Sequence, residues 1–140
     1  MKLIVLDTNV FVGALLSPSG ANREVLRRCL LGRYEPLMGM AVFSEMEDTM
    51  AREELMRKSP ASVAEREALF AAFLSVCRWT NIYYLWRSNL PDEGDNHLVE
   101  LAVAGGAEAI VTNNVTDFVR GELKFPALQI VTPSQMLNDD

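Results

Sequence analysis

Short apolar runs, separated by longer amphipathic stretches, recur along the whole chain. Residues 3–6 are continuously apolar and partly β-branched, the pattern of a strand that is buried on both faces of a sheet. Residues 109–112, Ala-Ile-Val-Thr, predict another buried strand. Tyr34–Met38 predicts a short second strand, which Pro36 should place at an edge or restrict to a few residues. Two further strands are predicted at residues 79–85 and 128–131.

The stretches between these runs have the period of helices. Within residues 21–31 the apolar side chains fall on one helical face, and Gly32 is suited to end that helix. Further helices are predicted at 40–57, 61–76 and 95–104, with a loop at 88–94. Strands that alternate with helices indicate βα units, and hence a mainly parallel sheet with helices on both faces.

Size and composition restrict the class of protein. The chain has 140 residues, of which 49% are apolar, so one globular domain over residues 1–140 is expected. Neither a signal peptide nor a membrane span is predicted, and Cys29 and Cys77 match no metal or disulfide pattern. We therefore expect a soluble, cytoplasmic protein without membrane contact.

The net charge of −6 argues against a broad basic surface that grips nucleic acid. Binding of nucleic acid at one local site remains compatible with this charge, because metal ions at an acidic centre make the local charge positive. Arg23, Arg27 and Arg28 are the candidates for holding a phosphate backbone, and an ordinary exposed helix face explains them equally well.

Four acidic residues follow the predicted strands, either directly or in the next turn or helix: Asp7, Glu45, Asp95 and Asp117. In an open parallel sheet the ligand sites lie beyond the carboxyl ends of the strands, where these side chains would meet. Clustered carboxylates repel one another unless a cation lies among them. The pattern therefore indicates a divalent-metal site.

Asp7 is the strongest of these signals, because it directly follows a buried strand and is itself followed by Thr8 and Asn9. An aspartate there can also cap a helix or form a turn. As a metal ligand, Asp7 would have Thr8 and Asn9 beside it as groups that orient carboxylates. Glu45 taken alone resembles any solvated helical glutamate.

Asp95 and Asp117 each have a structural alternative. An aspartate in the first turn of a helix, such as Asp95, is favoured by the helix dipole whether or not it binds a ligand. Asp117 closes a polar cluster with Thr112 and Asn114, of a kind that often only forms a turn. This cluster would adjoin Asp7 if the two strands that precede them are neighbours.

The four acidic segments together resemble the motifs of the PIN-domain (PilT N-terminus) nucleases. In chain order these segments are LDTNV at 6–10, FSEM at 43–46, DNHLVELA at 95–102 and IVTNNVTDF at 110–118. The runs at 104–107 and 131–137 are similar to the branch that contains toxin components of toxin–antitoxin pairs. Many members of that branch carry aspartate where this chain has Asn114.

The resemblance implies a three-layer α/β/α sandwich, PIN-like and Rossmann-like, with about five strands. It further implies a Mg²⁺- or Mn²⁺-dependent endoribonuclease acting on single-stranded RNA, often a homodimer and often paired with an antitoxin. The implied catalytic residues are Asp7, Glu45, Asp95 and Asp117, of which Asp7, Asp95 and Asp117 bind metal. The implied supporting residues are Thr8, Asn9, Thr112 and Asn114.

Two other function classes stay open at this point. A PIN-like module whose altered fourth motif no longer cuts could bind RNA or a partner protein in a regulatory role. A haloacid-dehalogenase type of phosphohydrolase also begins with a strand and an aspartate. That class needs a second aspartate two residues later, where this chain has Asn9, so it ranks last.

Overall fold

A computed structural model describes residues 2–82, 93–118 and 127–139 of the chain. The strands in this part of the chain are β1 (Lys2–Leu6), β2 (Tyr34–Met38), β3 (Arg78–Trp79), β4 (Ala109–Val111) and β5 (Gln129–Val131). The helices are α1 (Thr8–Leu16), α2 (Ala21–Leu30), α3 (Met40–Met50), α4 (Glu53–Met56), α5 (Val63–Val76), α6 (Glu93–Gly105), α7 (Val115–Phe118) and α8 (Pro133–Asn138). Within the described ranges, no helix is both long and apolar enough to span a bilayer.

The five strands form one parallel sheet in the order β3-β2-β1-β4-β5. From β1 the chain moves outward to β2 and β3, and then crosses back to β4 and β5 on the other side of β1. Right-handed crossovers in opposite directions place the connecting helices on opposite faces of the sheet. The predicted α/β architecture is confirmed. Its strand order reverses between β1 and β4, where a crevice opens at the carboxyl ends of the strands.

The central strands carry the core because their side chains are apolar on both faces. Ile4, Val5, Ile110 and Val111 are all fully buried. Complete burial of each such side chain contributes about 1.5–3 kcal/mol. Leu6 pairs with Val111 at the end of this central pair, so the segments after β1 and β4 begin side by side.

Helices α1 and α5 are joined through aromatic side chains. The ring of Phe11 in α1 lies 5.5 Å from that of Phe70 and 5.3 Å from that of Phe73, measured between centroids. Phe43 of α3 stacks on Phe70 at 5.7 Å. These contacts pack α1, α3 and α5 against one another.

Several predicted elements are confirmed with small shifts of their ends. The strand at 3–6 is β1, the strand at 109–112 is β4 without its last residue, and the strand at 128–131 is β5 without its first. The helix at 21–31 is α2, which ends at Leu30 before Gly32, whose φ of +81° is easily adopted by glycine. The helices at 61–76 and 95–104 are α5 and α6, which begin at Val63 and Glu93.

Other expectations differ from the structure. The predicted helix 40–57 is two helices, α3 and α4, with a break at Ala51 and Arg52. The predicted strand 79–85 is regular only at Trp79, and its residues 83–85, like residues 88–92 of the predicted loop, lie outside the described part of the chain. Strand β2 is not an edge strand, although β3 pairs only with Leu37 and Met38, beyond Pro36. Helix α1 was not predicted.

Candidate active site

The four predicted acids border a single cleft at the carboxyl edge of the sheet. Its volume is about 310 Å³. Asp7 enters it from the end of β1, Glu45 from α3, Asp95 from the first turn of α6 and Asp117 from α7. The cleft is thus lined by acids from four separate elements, at the point where the strand order reverses.

Asp7 is held at the base of this cleft by hydrogen bonds to its carboxylate. The hydroxyl of Thr112 donates to Oδ2 over 2.7 Å, and the side-chain amide of Asn9 donates to the same oxygen over 3.1 Å. Asp7 is only 6% exposed, and its backbone N–H donates to the carbonyl of Val111, which ties the end of β1 to β4. The carboxylate is therefore fixed by one side chain from α1 and one from the segment directly after β4.

The pKa of Asp7 is raised above its ordinary value of 3.8, mainly because burial penalises the charged form. The hydrogen bond from Thr112 counteracts this rise, and the nearby negative charge of Glu45 adds to it. The backbone amides of Asn9 and Thr8 also favour the charged form. A carboxylate that is buried beside another acid is costly to ionise, unless a cation compensates for its charge.

The segment after β4 supports this arrangement. The hydroxyl of Thr112 is fully buried and accepts a hydrogen bond from the backbone N–H of Asn114 over 3.0 Å while it donates to Asp7. The N–H of Asp117 in turn donates to the carbonyl of Asn114 over 3.1 Å, at the start of α7. Thr112 and Asn114 therefore shape the turn that brings Asp117 to the cleft.

Replacing Thr112 by valine should weaken the site more than the fold. Valine has nearly the same shape but leaves Asp7 and the Asn114 amide without the hydroxyl, at a cost of about 1–3 kcal/mol in unfolding free energy. The loss should be larger at pH 7 than at pH 4, because Thr112 stabilises the charged form of Asp7. Affinity for Mn²⁺, measured by titration calorimetry, should fall about 10- to 100-fold.

Thr116→Val is the matched control, since Thr116 is an exposed residue of α7, four positions after Thr112 in the chain. It should change neither the stability nor the affinity for Mn²⁺. Equal Mn²⁺ binding by Thr112→Val and Thr116→Val would show that Thr112 does not support the site.

The donors in the cleft fit a hard divalent cation. Carboxylate and hydroxyl oxygens are the ligands that Mg²⁺ and Mn²⁺ prefer. The hydroxyl oxygen of Thr8, which is 5% exposed, has no hydrogen-bond partner among the described residues, and Thr8 lines the cleft beside Asp7. In the described part of the chain, no three acidic, histidine or cysteine side chains are close enough together to hold an ion as they stand.

The three arginines predicted to bind RNA are engaged within the protein. Arg23 donates to the carbonyl of Ala14 over 3.0 Å. Arg27 and Arg28 both pair with Glu24, with N–O distances of 2.7 and 3.1 Å. Of the three, none lines the cleft. Hydrogen bonds from Arg27 and Arg28 lower the pKa of Glu24 to about 2.

Two asparagines near the cleft were not assigned a role from the sequence. Asn113 contacts Asn9 and also Asn22 at the start of α2. Nothing in the sequence connects residue 22 with residue 113, so this contact could be found only from the packing of α2 against α1. His97, which the sequence left unassigned, lines a separate cavity with Leu101.

Comparisons with known proteins concern the family and the fold of the chain. A family model described as PIN domain matches residues 3–116, a span that includes Asp7, Glu45 and Asp95. Among solved structures, the chain is similar to one in the crystal structure of VapBC2 from Rickettsia felis bound to a DNA fragment from their promoter. That similarity has a TM-score of 0.61 and 15% identity, and it covers 94% of this chain and 98% of the other. Comparison with curated proteins finds no match. The chain belongs to the PIN-domain family of nucleases.

Proposed function

We propose that this protein is a Mg²⁺- or Mn²⁺-dependent endoribonuclease that hydrolyses phosphodiester bonds of single-stranded RNA. The observation that carries the proposal is the position of Asp7. It is a buried carboxylate whose pKa is raised by burial and by the nearby negative charge of Glu45, in a cleft that Asp95 and Asp117 also line. This arrangement disfavours the metal-free charged state and suits an acidic centre that holds a cation.

The roles of the residues follow from their places in the cleft. Asp7, Asp95 and Asp117 would hold the cation, and the hydroxyl of Thr8 offers a further oxygen. Glu45 would orient or deprotonate the attacking water, while Asn9, Thr112 and Asn114 keep the ligands in place. A divalent cation bound there would lower the pKa of a bound water molecule and stabilise the negative charge that builds up on the phosphate.

The same acidic cleft explains how an acidic protein could act on RNA. The protein has a formal charge of −6, and none of the described residues that line the cleft is basic. The three arginines are engaged elsewhere. A cation among the carboxylates would reverse the local sign and admit the phosphate. RNA binding should therefore depend on the divalent ion.

We further propose that the protein is the toxin component of a toxin–antitoxin pair, acting in the cytoplasm as a homodimer or higher homo-oligomer of one-domain chains. The likeness of its fold to a chain of the VapBC2 complex supports an antitoxin protein as partner. The test is to express the protein alone and together with the product of an adjacent small gene, to follow growth, and to examine the co-expressed proteins by size-exclusion chromatography. We expect growth arrest on expression alone, relief of the arrest by the small gene, and elution of the two products as one complex. Unimpaired growth on expression alone would contradict this part of the proposal.

A second candidate function is a PIN-like regulatory module that binds RNA or a partner protein without cutting. Asn114 favours it, because an uncharged side chain lines the cleft where many relatives have an acid. The two functions differ in their need for metal. A non-cutting module should bind Mn²⁺ poorly and bind RNA equally well in EDTA.

The direct test is cleavage of a 5′-labelled single-stranded RNA of mixed sequence by the purified protein. We expect cleavage with Mn²⁺ or Mg²⁺, none in EDTA, and little with a DNA of the same sequence or with duplex RNA. Cleavage in EDTA would contradict the proposed mechanism. RNA binding without any cleavage over a range of Mn²⁺ concentrations would favour the non-cutting module.

A further inference from the structure

A chain of side-chain amides runs from the start of α2 to Asp7. It consists of Asn22 from α2, Asn113 from the segment between β4 and α7, and Asn9 from α1. We infer that this set of three asparagines, the amide chain, positions Asp7 to bind the cation of the proposed nuclease. We also infer that Gly13 is the residue that allows the amide chain to form. The inference rests on the proposed function, and its experiment separates the two.

The hydrogen bonds of this chain determine which way the amide of Asn9 faces. Its oxygen accepts from both the backbone N–H and the side-chain N–H of Asn113, over 3.2 and 3.3 Å. With its oxygen held there, the amide nitrogen of Asn9 faces Asp7 and donates to Oδ2. The reverse orientation would place an amide oxygen against the carboxylate, which is repulsive, and would abandon both bonds from Asn113.

Asn22 holds Asn113 in the position that these bonds require. The side-chain amide of Asn113 donates to Oδ1 of Asn22 over 3.1 Å while it donates to Asn9. Both hydrogens of that amide group are thereby used, one on each neighbour. Asn22 is therefore linked to Oδ2 of Asp7 through two intervening side chains, although it does not line the cleft.

Gly13 makes room for Asn22. A Cβ atom at position 13 would overlap with Nδ2 of Asn22 and lie 2.9 Å from its Cγ, closer than carbon atoms normally approach. The amide of Asn22 therefore lies directly on the backbone of α1 at this glycine. A larger residue at position 13 therefore requires the amide of Asn22 to shift from the position in which it accepts from Asn113.

This packing gives a specific expectation for a pair of substitutions. Asn22→Ala removes the amide, and Gly13→Ala displaces it, so each should weaken Mn²⁺ binding about 3- to 10-fold, less than loss of a direct ligand partner. The double variant should bind Mn²⁺ no more weakly than Asn22→Ala alone, because alanine at position 22 leaves space for the new methyl group. Asn138→Ala, which removes an exposed amide in α8, is the control and should have no effect.

The experiment combines titration calorimetry with Mn²⁺ and NMR of the metal-free proteins. The side-chain amide signals of Asn9 and Asn113 should shift in Asn22→Ala and Gly13→Ala, and stay in place in Asn138→Ala. A positioning role predicts weaker Mn²⁺ binding with a nearly unchanged midpoint of thermal unfolding. Lower thermal stability with unchanged Mn²⁺ affinity would show a merely structural role and overturn the inference.

Effects of Gly13→Ala and Asn22→Ala that multiply in the double variant would also overturn it, since they would then act independently. Failure of the proposed function has a different signature. In that case the wild-type protein binds no Mn²⁺. The NMR signals of Asn9 still report whether Asn22 holds the side-chain amide of Asn9 in place through Asn113. Unmoved signals in both single variants would contradict the amide chain, whatever the protein does with metal.

Discussion

Replacing Asp7 by asparagine should reduce Mn²⁺-dependent RNA cleavage by more than about 100-fold, beyond the loss caused by removing an outer partner of a metal ligand. Asparagine is similar in shape, and its oxygen can still accept from Thr112 and Asn9. It lacks the negative charge that a divalent cation requires of its main ligand. The measurement is the rate of cleavage of the labelled single-stranded RNA at saturating Mn²⁺.

Asp48→Asn is the matched control for this variant. Asp48 is an exposed residue of α3 that does not line the cleft, and its replacement makes the same change in net charge. Its cleavage rate should equal that of the wild type. Cleavage by Asp7→Asn at the wild-type rate would exclude Asp7 from the reaction.

The stability of the same variant should change in opposite directions with and without metal. In the metal-free protein at pH 7, Asp7→Asn should unfold at a higher temperature than the wild type, because it removes a buried charge near Glu45. Mn²⁺ at about 100 times its dissociation constant should stabilise the wild type by about 2.7 kcal/mol. It should hardly change the variant, so the order of the two midpoints reverses.

The pH dependence provides a second reading of the same carboxylate. Because its pKa is higher in the folded than in the unfolded chain, Asp7 takes up a proton on folding over the pH range between 3.8 and the raised pKa. Its contribution to the metal-free stability therefore falls as the pH rises through that range to the raised pKa. Asp7→Asn should lack this component and Asp48→Asn should retain it. Parallel pH profiles for the wild type and Asp7→Asn would contradict the burial of a charged Asp7.

The sheet could be predicted because residues 3–6 and 109–111 of its inner strands are short runs that are apolar throughout, and such runs have few other structures open to them. Helix α1 was missed for a related reason. Its sequence, TNVFVGALL, is apolar on nearly every side, and six of its nine residues are buried. A helix without a polar face lacks the period by which helices are recognised.

The place of a site residue could be predicted more easily the more directly that residue follows a strand. Asp7 comes one residue after β1, so its place at the carboxyl edge required only that β1 be a strand. Glu45 is the sixth residue of α3, and whether it faces the cleft depends on how that helix packs. Asn22 could not be found, because its link to Asp7 depends on the approach of α2 to Gly13.

The arginines show the opposite limit of a sequence pattern. Arg27 and Arg28 lie three and four residues after Glu24, a spacing at which opposite charges on a helix pair with one another. Pairing with Glu24 thus competes with binding of RNA. A cluster of positive charges in the sequence does not reveal which of these two partners the arginines bind. The prediction that these three residues contact RNA still requires a binding measurement on charge-reversed variants.

Anomalous diffraction from crystals grown with Mn²⁺ tests the central claim most directly. We expect a peak in the cleft with a carboxylate oxygen of Asp7 among the ligands, and with at least one of Asp95 and Asp117 drawn in beside it. Crystals of Asp7→Asn under the same conditions should lack the peak. A peak that Asp7 does not contact, or no peak at saturating Mn²⁺ in the wild-type crystals, would contradict a metal-dependent nuclease site built on Asp7.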